Sequence, residues 1–134
     1  MIIKNSKELE KNLELILDKI LNDILDEIFT LSQENLINNK SVDTGYLLKS
    51  GIVLYDRKQI RYTAPYAEYV EYGTGPHRPP VEPIKKWVHR KLGLSGKEAD
   101  HVAWAIVKAI EKRGTIPKPY LRPAIEKVKI KYNL

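Results

Sequence analysis

The chain has 134 residues, 43% hydrophobic and 30% charged, with a net charge of +6 and no cysteine. That length and balance describe one folded domain and exclude a disordered or a membranous chain. The missing cysteines exclude disulfides, a thiol nucleophile and thiolate metal ligation.

No apolar run approaches the roughly 18 residues of a membrane span, so no membrane segment is expected. The opening residues also lack the apolar core and cleavage site of a signal peptide, and the absence of cysteine fits an intracellular origin. The charge is uneven. Residues 1–40 hold five Lys/Arg against eight Asp/Glu, a net of −3, and residues 41–134 hold eighteen against nine, a net of +9. An acidic arm on a basic body suits either a nucleic-acid surface or complementary contact between like subunits.

Asn5-Ser6-Lys7-Glu8 has the spacing of a capping box. Apolar residues then recur as Leu13, Ile16-Leu17, Ile20-Leu21, Ile24-Leu25, Ile28-Phe29 and Leu31, a wide stripe on a helix over about 6–37. At 1.5 Å per residue this helix runs on the order of 45 Å, longer than so small a body covers. Part of its stripe is expected to pack on a partner chain.

Asn38-Asn39-Lys40-Ser41 breaks the helix. Asp43-Thr44-Gly45-Tyr46-Leu47-Leu48-Lys49-Ser50 reads as a cap with a short helix, or as an extended loop entering a sheet. Ile52–Tyr55 and Gln59–Thr63 are β-rich, and the polar Asp56-Arg57-Lys58 between them predicts a hairpin that ends at Pro65. Tyr62, Tyr66, Tyr69 and Tyr72 then follow at spacings of four, three and three, which predicts four rings on one helical face, closed by Gly73-Thr74-Gly75.

Pro76–Val81 predicts a stiff loop. Glu82-Pro83 opens a helix that Gly93 closes, and Ser95-Gly96-Lys97-Glu98 forms a second capping box ahead of a helix that Gly114 stops. Residues 115–121 read as extended, and Arg122-Pro123 begins a final helix. The order predicts an α+β fold, with a long N-terminal helix and further helices packed on a small antiparallel β-sheet. Within one domain over 1–134 it delimits an N-terminal helix (1–40), a hairpin with the Tyr-rich helix and turn (41–81), a helical insert (82–114) and a C-terminal strand and helix (115–134).

Chemistry is hard to find. His77, His89 and His101 lack metal-ligand spacing. Glu68 and Glu71 could form a carboxylate pair, but Arg57, Arg61 and Arg78 nearby favour structural ion pairs. Gly73-Thr74-Gly75 lacks the lysine and setting of a phosphate loop. No catalytic residue, cofactor site, metal site or small-molecule substrate is expected. The basic body with tyrosines keeps open a second reading, a small RNA-targeting domain such as a toxin-like nuclease.

Three motifs together resemble the HK97 gp10-like family of tailed-phage proteins, from head-tail joining and tail-completion clusters. Asp43-Thr44-Gly45-Tyr46-Leu47-Leu48-Lys49-Ser50 is similar to the family's Thr-Gly-x-Leu-x-x-Ser. Tyr66-Ala67-Glu68-Tyr69-Val70-Glu71-Tyr72-Gly73-Thr74 is similar to its Tyr-Ala-x-x-Val-Glu-x-Gly-Thr. Pro119-Tyr120-Leu121-Arg122-Pro123-Ala124 is similar to its Pro-Phe-Leu-x-Pro-Ala, with tyrosine in place of phenylalanine.

The resemblance implies a structural protein of a phage or prophage virion, assembling into a ring at the neck beside portal or adaptor and tail-tube or tail-terminator proteins. Its expected location is the virion, and the host cytoplasm during assembly, with nucleic acid only an incidental neighbour. It implies structural or interface roles, none catalytic, for Thr44, Gly45, Leu47, Tyr66, Tyr69, Glu71, Gly73, Thr74, Pro119, Tyr120, Leu121 and Pro123. In that reading the glycines with Thr74 shape turns, Pro119, Tyr120 and Pro123 dock the last helix on the sheet, and loop 75–81 meets a neighbouring subunit.

Overall fold

Helix α1 runs Ser6–Asn38 in a computed structural model that describes residues 6–134. It is followed by α2 (Tyr46–Lys49), strands β1 (Gly51–Leu54) and β2 (Gln59–Tyr62), α3 (Ala67–Tyr72), α4 (Val81–Leu92), α5 (Gly96–Arg113) and α6 (Leu121–Lys131). The fold is α+β, as the patterning predicts. The two strands pair antiparallel with Gly51 opposite Tyr62 and Leu54 opposite Gln59, and the loop between them closes with Lys58 at φ 53°.

The core lies where the C-terminal half of α1 meets the hairpin, α3 and the start of α6. Leu36, Leu47, Ala64, Ala67 and Tyr120 are its buried members. Small residues allow the close approach: a Cβ on Gly51 would lie 2.8 Å from the Phe29 and Tyr62 rings and from the Gln33 amide. Tyr62 supplies the polar tie. Its hydroxyl donates to Ser32 Oγ at 2.6 Å and accepts from Gln33 Nε2 at 2.8 Å, while Ser32 donates to the Phe29 carbonyl and Gln33 also to that of Leu48. Both polar side chains of α1 are thereby satisfied inside the core.

Helix α6 runs back along α1, from Asn35 and Asn39, whose amides donate to the Tyr120 and Pro119 carbonyls, up to Glu27, which accepts from Lys131 and Tyr132. It covers only the second half of α1. Every residue from Ser6 to Leu21 is exposed.

Helices α4 and α5 pack on each other around Val88, Ala99 and Ala103, a second apolar cluster separate from the first. Two of these positions are alanine, so little side-chain volume stands between the two helices.

Several expectations need correction. The four tyrosines do not share a face. Tyr62 lies in β2, Tyr66 precedes α3, and Tyr69 and Tyr72 are 59% and 58% exposed. The buried face of α3 is Ala67 and Glu71, four residues apart. The helix is only six residues long, so two positions suffice to seat it, and the aromatic spacing faces outward.

Ser95 does precede α5, but its side chain caps no backbone N–H. The capping box before α1 includes Asn5, outside the described residues. Nor is the acidic arm wholly unsatisfied: Asp18 pairs with Lys58 at 2.5 Å, Asp26 accepts from Tyr55, and Glu27 pairs with Lys131 at 2.9 Å. The charge contrast read from the sequence is partly consumed within the chain.

Candidate functional site

Among the described residues Glu71 is the buried carboxylate, 4% exposed. Its Oε2 accepts the backbone N–H of Tyr120 and Leu121 at 2.8 and 2.9 Å, and Oε1 accepts that of Arg122 at 2.9 Å. These are the first N–H groups of α6, which no intrahelical carbonyl can reach. Helix α6 has no side-chain cap of its own. Glu71, about fifty positions earlier, takes that place and brings negative charge to the positive end of the helix.

Arg122 completes the joint. Its Nε donates to Glu71 Oε1 at 3.0 Å, its second terminal nitrogen donates to the Glu71 carbonyl at 2.8 Å, and its guanidinium lies 4.4 Å from the centre of the Tyr72 ring. Burial alone would raise the Glu71 carboxyl. The three backbone N–H groups and Arg122 outweigh it and hold the carboxyl below the usual carboxylate range. The expected partners were Arg57, Arg61 and Arg78. Arg78 instead pairs with Glu111 at 3.3 Å, and Glu68 is exposed.

The neighbouring turn is equally constrained. Gly73 sits at φ 72°, ψ −178°, a conformation that only glycine holds readily. A Cβ there would lie 2.6 Å from the Thr115 carbonyl. Thr74 and Thr115 form an isolated antiparallel bridge, N–H to carbonyl at 3.2 Å in both directions, with their hydroxyls 2.9 Å apart. Gly114 faces the same crossing, where a Cβ would fall 1.9 Å from the Thr74 carbonyl. The α4–α5 hairpin thus leaves and rejoins the body through one pinched stem.

Leu47, Tyr120 and Leu121 belong to the main core, and Tyr120 is pinned at both ends. Its ring meets Tyr62 edge-on at 4.9 Å and its hydroxyl donates to the Ala67 carbonyl at 3.0 Å. Burial first, and Glu71 second, push the Tyr120 phenol far above its ordinary range. Pro119 and Pro123 flank a small surface cleft against Asn35 and Asn39. Gly45, at φ 84°, turns the chain into α2, where the Thr44 hydroxyl accepts from Tyr46 N–H at 3.4 Å. Tyr66 leaves this group and stacks on Tyr46, ring centres 6.0 Å apart.

Between the α4–α5 hairpin and the body runs a seam that sequence reasoning missed. One cavity, about 820 Å³, lies between residues 41–48 and α4, with Tyr46, Tyr66, Ile84 and Trp87 in its walls. A second, about 470 Å³, shares Tyr66, Ile84 and Trp87 and is rimmed by Lys40, Lys91, Lys118 and His77. One clasp spans the seam: Arg90 grips the Asp43 carboxylate with two nitrogens, and Lys91 donates to the Val42 carbonyl at 2.5 Å. The Arg90 hydrogen bond holds the Asp43 carboxyl below its usual range. Trp87 and Arg90 carry no local motif that marks them, and although Asp43, Tyr46 and Arg122 fall within the quoted motifs, nothing local names their partners, which lie far off in sequence.

Among the described residues no helix is long and apolar enough to cross a membrane, and no group of three metal-ligating side chains converges. Comparison with family models, curated proteins and solved structures finds no match to the chain.

Proposed function

We propose that this chain is a structural protein of a phage or prophage virion, a connector, neck or tail-completion factor that acts by self-assembly into a ring. Its partners in that role are further copies of itself, a portal or adaptor protein on one side and a tail-tube or tail-terminator protein on the other. Its place is the virion, and the host cytoplasm while assembly proceeds.

The observation that carries this reading is that the three family-like motifs converge on one joint. Glu71 of the second motif caps the helix opened by Tyr120-Leu121-Arg122 of the third. Leu47 of the first lies in the same core as Tyr120. Residues that must meet to close one core give a physical reason for such motifs to occur together and in that order. The uncovered first half of α1 supports the self-assembly part, since a row of half-exposed leucines and isoleucines on one helix is a binding surface awaiting a partner.

The alternative, an RNA-targeting domain, draws on the basic surface. Four of its cations, Lys58, Arg90, Arg122 and Lys131, are engaged by carboxylates of the chain itself, which leaves less charge for phosphate. Light scattering at low and high salt, with electron microscopy of the same samples, tests the assembly reading. A discrete oligomer with ring images is expected. A monomer at every concentration, with salt-sensitive retention of RNA, would favour the alternative.

A further inference from the structure

We propose that the seam between the α4–α5 hairpin and the body receives the N-terminal half of α1 from a second copy of this chain. The inference rests on the self-assembly reading above and assigns its surfaces.

Two unsatisfied surfaces of matching character lie at opposite ends of the molecule. The first is the apolar side of α1, where Leu9, Leu13, Ile16, Leu17, Ile20 and Leu21 are 37–57% exposed. At about 100° per residue these six fall on one side of the helix. Glu10 lies within that side and Glu14 and Asp23 at its two edges, while Lys7, Lys11 and Lys19 lie farther round toward the opposite one. The second is the seam, with an apolar floor of Tyr66, Val70, Ile84 and Trp87 and a rim of Lys40, Lys91 and Lys118, where the one carboxylate, Asp43, is already paired with Arg90. An apolar row bordered by carboxylates fits an apolar trough bordered by cations.

The chain cannot make this contact with itself. Lys40 and Ser41, just past the end of α1, line the seam. Ile16 lies 24 residues back along a continuous helix, roughly 36 Å away. Only another copy can present its stripe there. Because the two surfaces differ, the contact is head-to-tail, and a head-to-tail contact repeats until it closes into a ring or extends as a filament. The apolar row alone would also permit two α1 helices to pair symmetrically, but that would set acid borders against acid borders and leave the seam open.

The absence of cysteine makes the test direct. Ile16→Cys on the α1 row and Tyr69→Cys on the edge of the seam, at positions 57% and 59% exposed, are prepared as two separate full-length proteins, mixed and mildly oxidised. A disulfide between the two variants, abundant in the mixture and scarce in either protein alone, is the expected result. Reversing the rim with Lys40→Glu and Lys118→Glu in the Tyr69→Cys protein, which leaves the Arg90–Lys91 clasp intact, should lower the mixed product roughly fivefold at low salt. Self-cross-linking of Ile16→Cys as the main product would mean that α1 pairs with α1 and would overturn the proposal. So would an oligomer that yields no mixed product, which leaves the ring reading intact. A chain that stays monomeric throughout overturns both.

Discussion

The Glu71 carboxylate accepts both the backbone N–H and the guanidinium Nε of Arg122, at 2.9 and 3.0 Å. One buried anion therefore caps a helix and holds an arginine whose other nitrogen returns to the Glu71 carbonyl. Replacing Glu71 with alanine strands three N–H groups at the start of α6. A loss of about 3 kcal/mol is expected, the range for a buried charged hydrogen-bond network that loses its acceptor. The urea midpoint at pH 7 measures it. Glu71→Gln keeps one acceptor oxygen and should cost less than half as much. Equal losses for the two variants would mean that shape, not hydrogen bonding, holds the joint.

The same residue predicts an acid limb in stability. The folded Glu71 carboxyl lies below its ordinary value, so its contribution is complete above the unfolded value of about 4.3 and fades as pH falls through the folded value. Wild-type stability should drop from about pH 5 downward, and Glu71→Gln should show a shallower drop. Denaturant titrations at pH 7, 5 and 3 make the comparison. Parallel curves for the two proteins would place the acid sensitivity elsewhere.

Gly73→Val should misfold, because the added side chain must enter a space where a Cβ alone is 2.6 Å from the Thr115 carbonyl, at a φ of 72°. Gly75→Ala is the matched control. A Cβ there meets nothing within 4 Å, and the change should stay within about 0.5 kcal/mol. Soluble expression and circular dichroism distinguish them. A well-folded Gly73→Val protein would remove the pinched stem from its central place in the fold.

Tyr62→Phe removes the hydroxyl that joins Ser32 to Gln33 inside the core. A loss of about 1–2 kcal/mol is expected, with the hairpin and α1 still folded. Thermal unfolding with an unchanged far-UV spectrum would report it. A neutral substitution would mean that the Phe29 and Leu48 carbonyls already satisfy the two α1 side chains.

The Asp43–Arg90 clasp is half-exposed, and Arg90→Ala should change global stability by less than about 1 kcal/mol. Its effect should be local. The α4–α5 hairpin has its own apolar cluster and meets the body through the stem and this clasp, so hydrogen exchange at residues 41–48 should quicken while the amides of β1 and β2 keep their protection. Uniform quickening across the chain would contradict a separately seated hairpin.

The amino-acid order alone determined most of the elements; it left residues 43–50 open between helix and loop, and of the strand expected after 115 only the Thr115 bridge forms. Apolar doublets every four residues defined α1 to within one residue of its end, and Gly93, Gly114 and the prolines at 83 and 123 delimited the later helices, because these are local backbone effects. Hydrophobic alternation with a polar turn was enough for the hairpin. Spacing failed at the tyrosines, where a helix too short to bury four rings turned its small residue and its glutamate inward instead. Tertiary structure alone decided the partners. That Glu71 serves residues 120–122, that Thr74 meets Thr115, and that Arg90 reaches Asp43 follow from where the chain returns in space. A periodic pattern reports which side of a helix is apolar, but only packing shows where that side goes uncovered, as it does from Leu9 to Leu21.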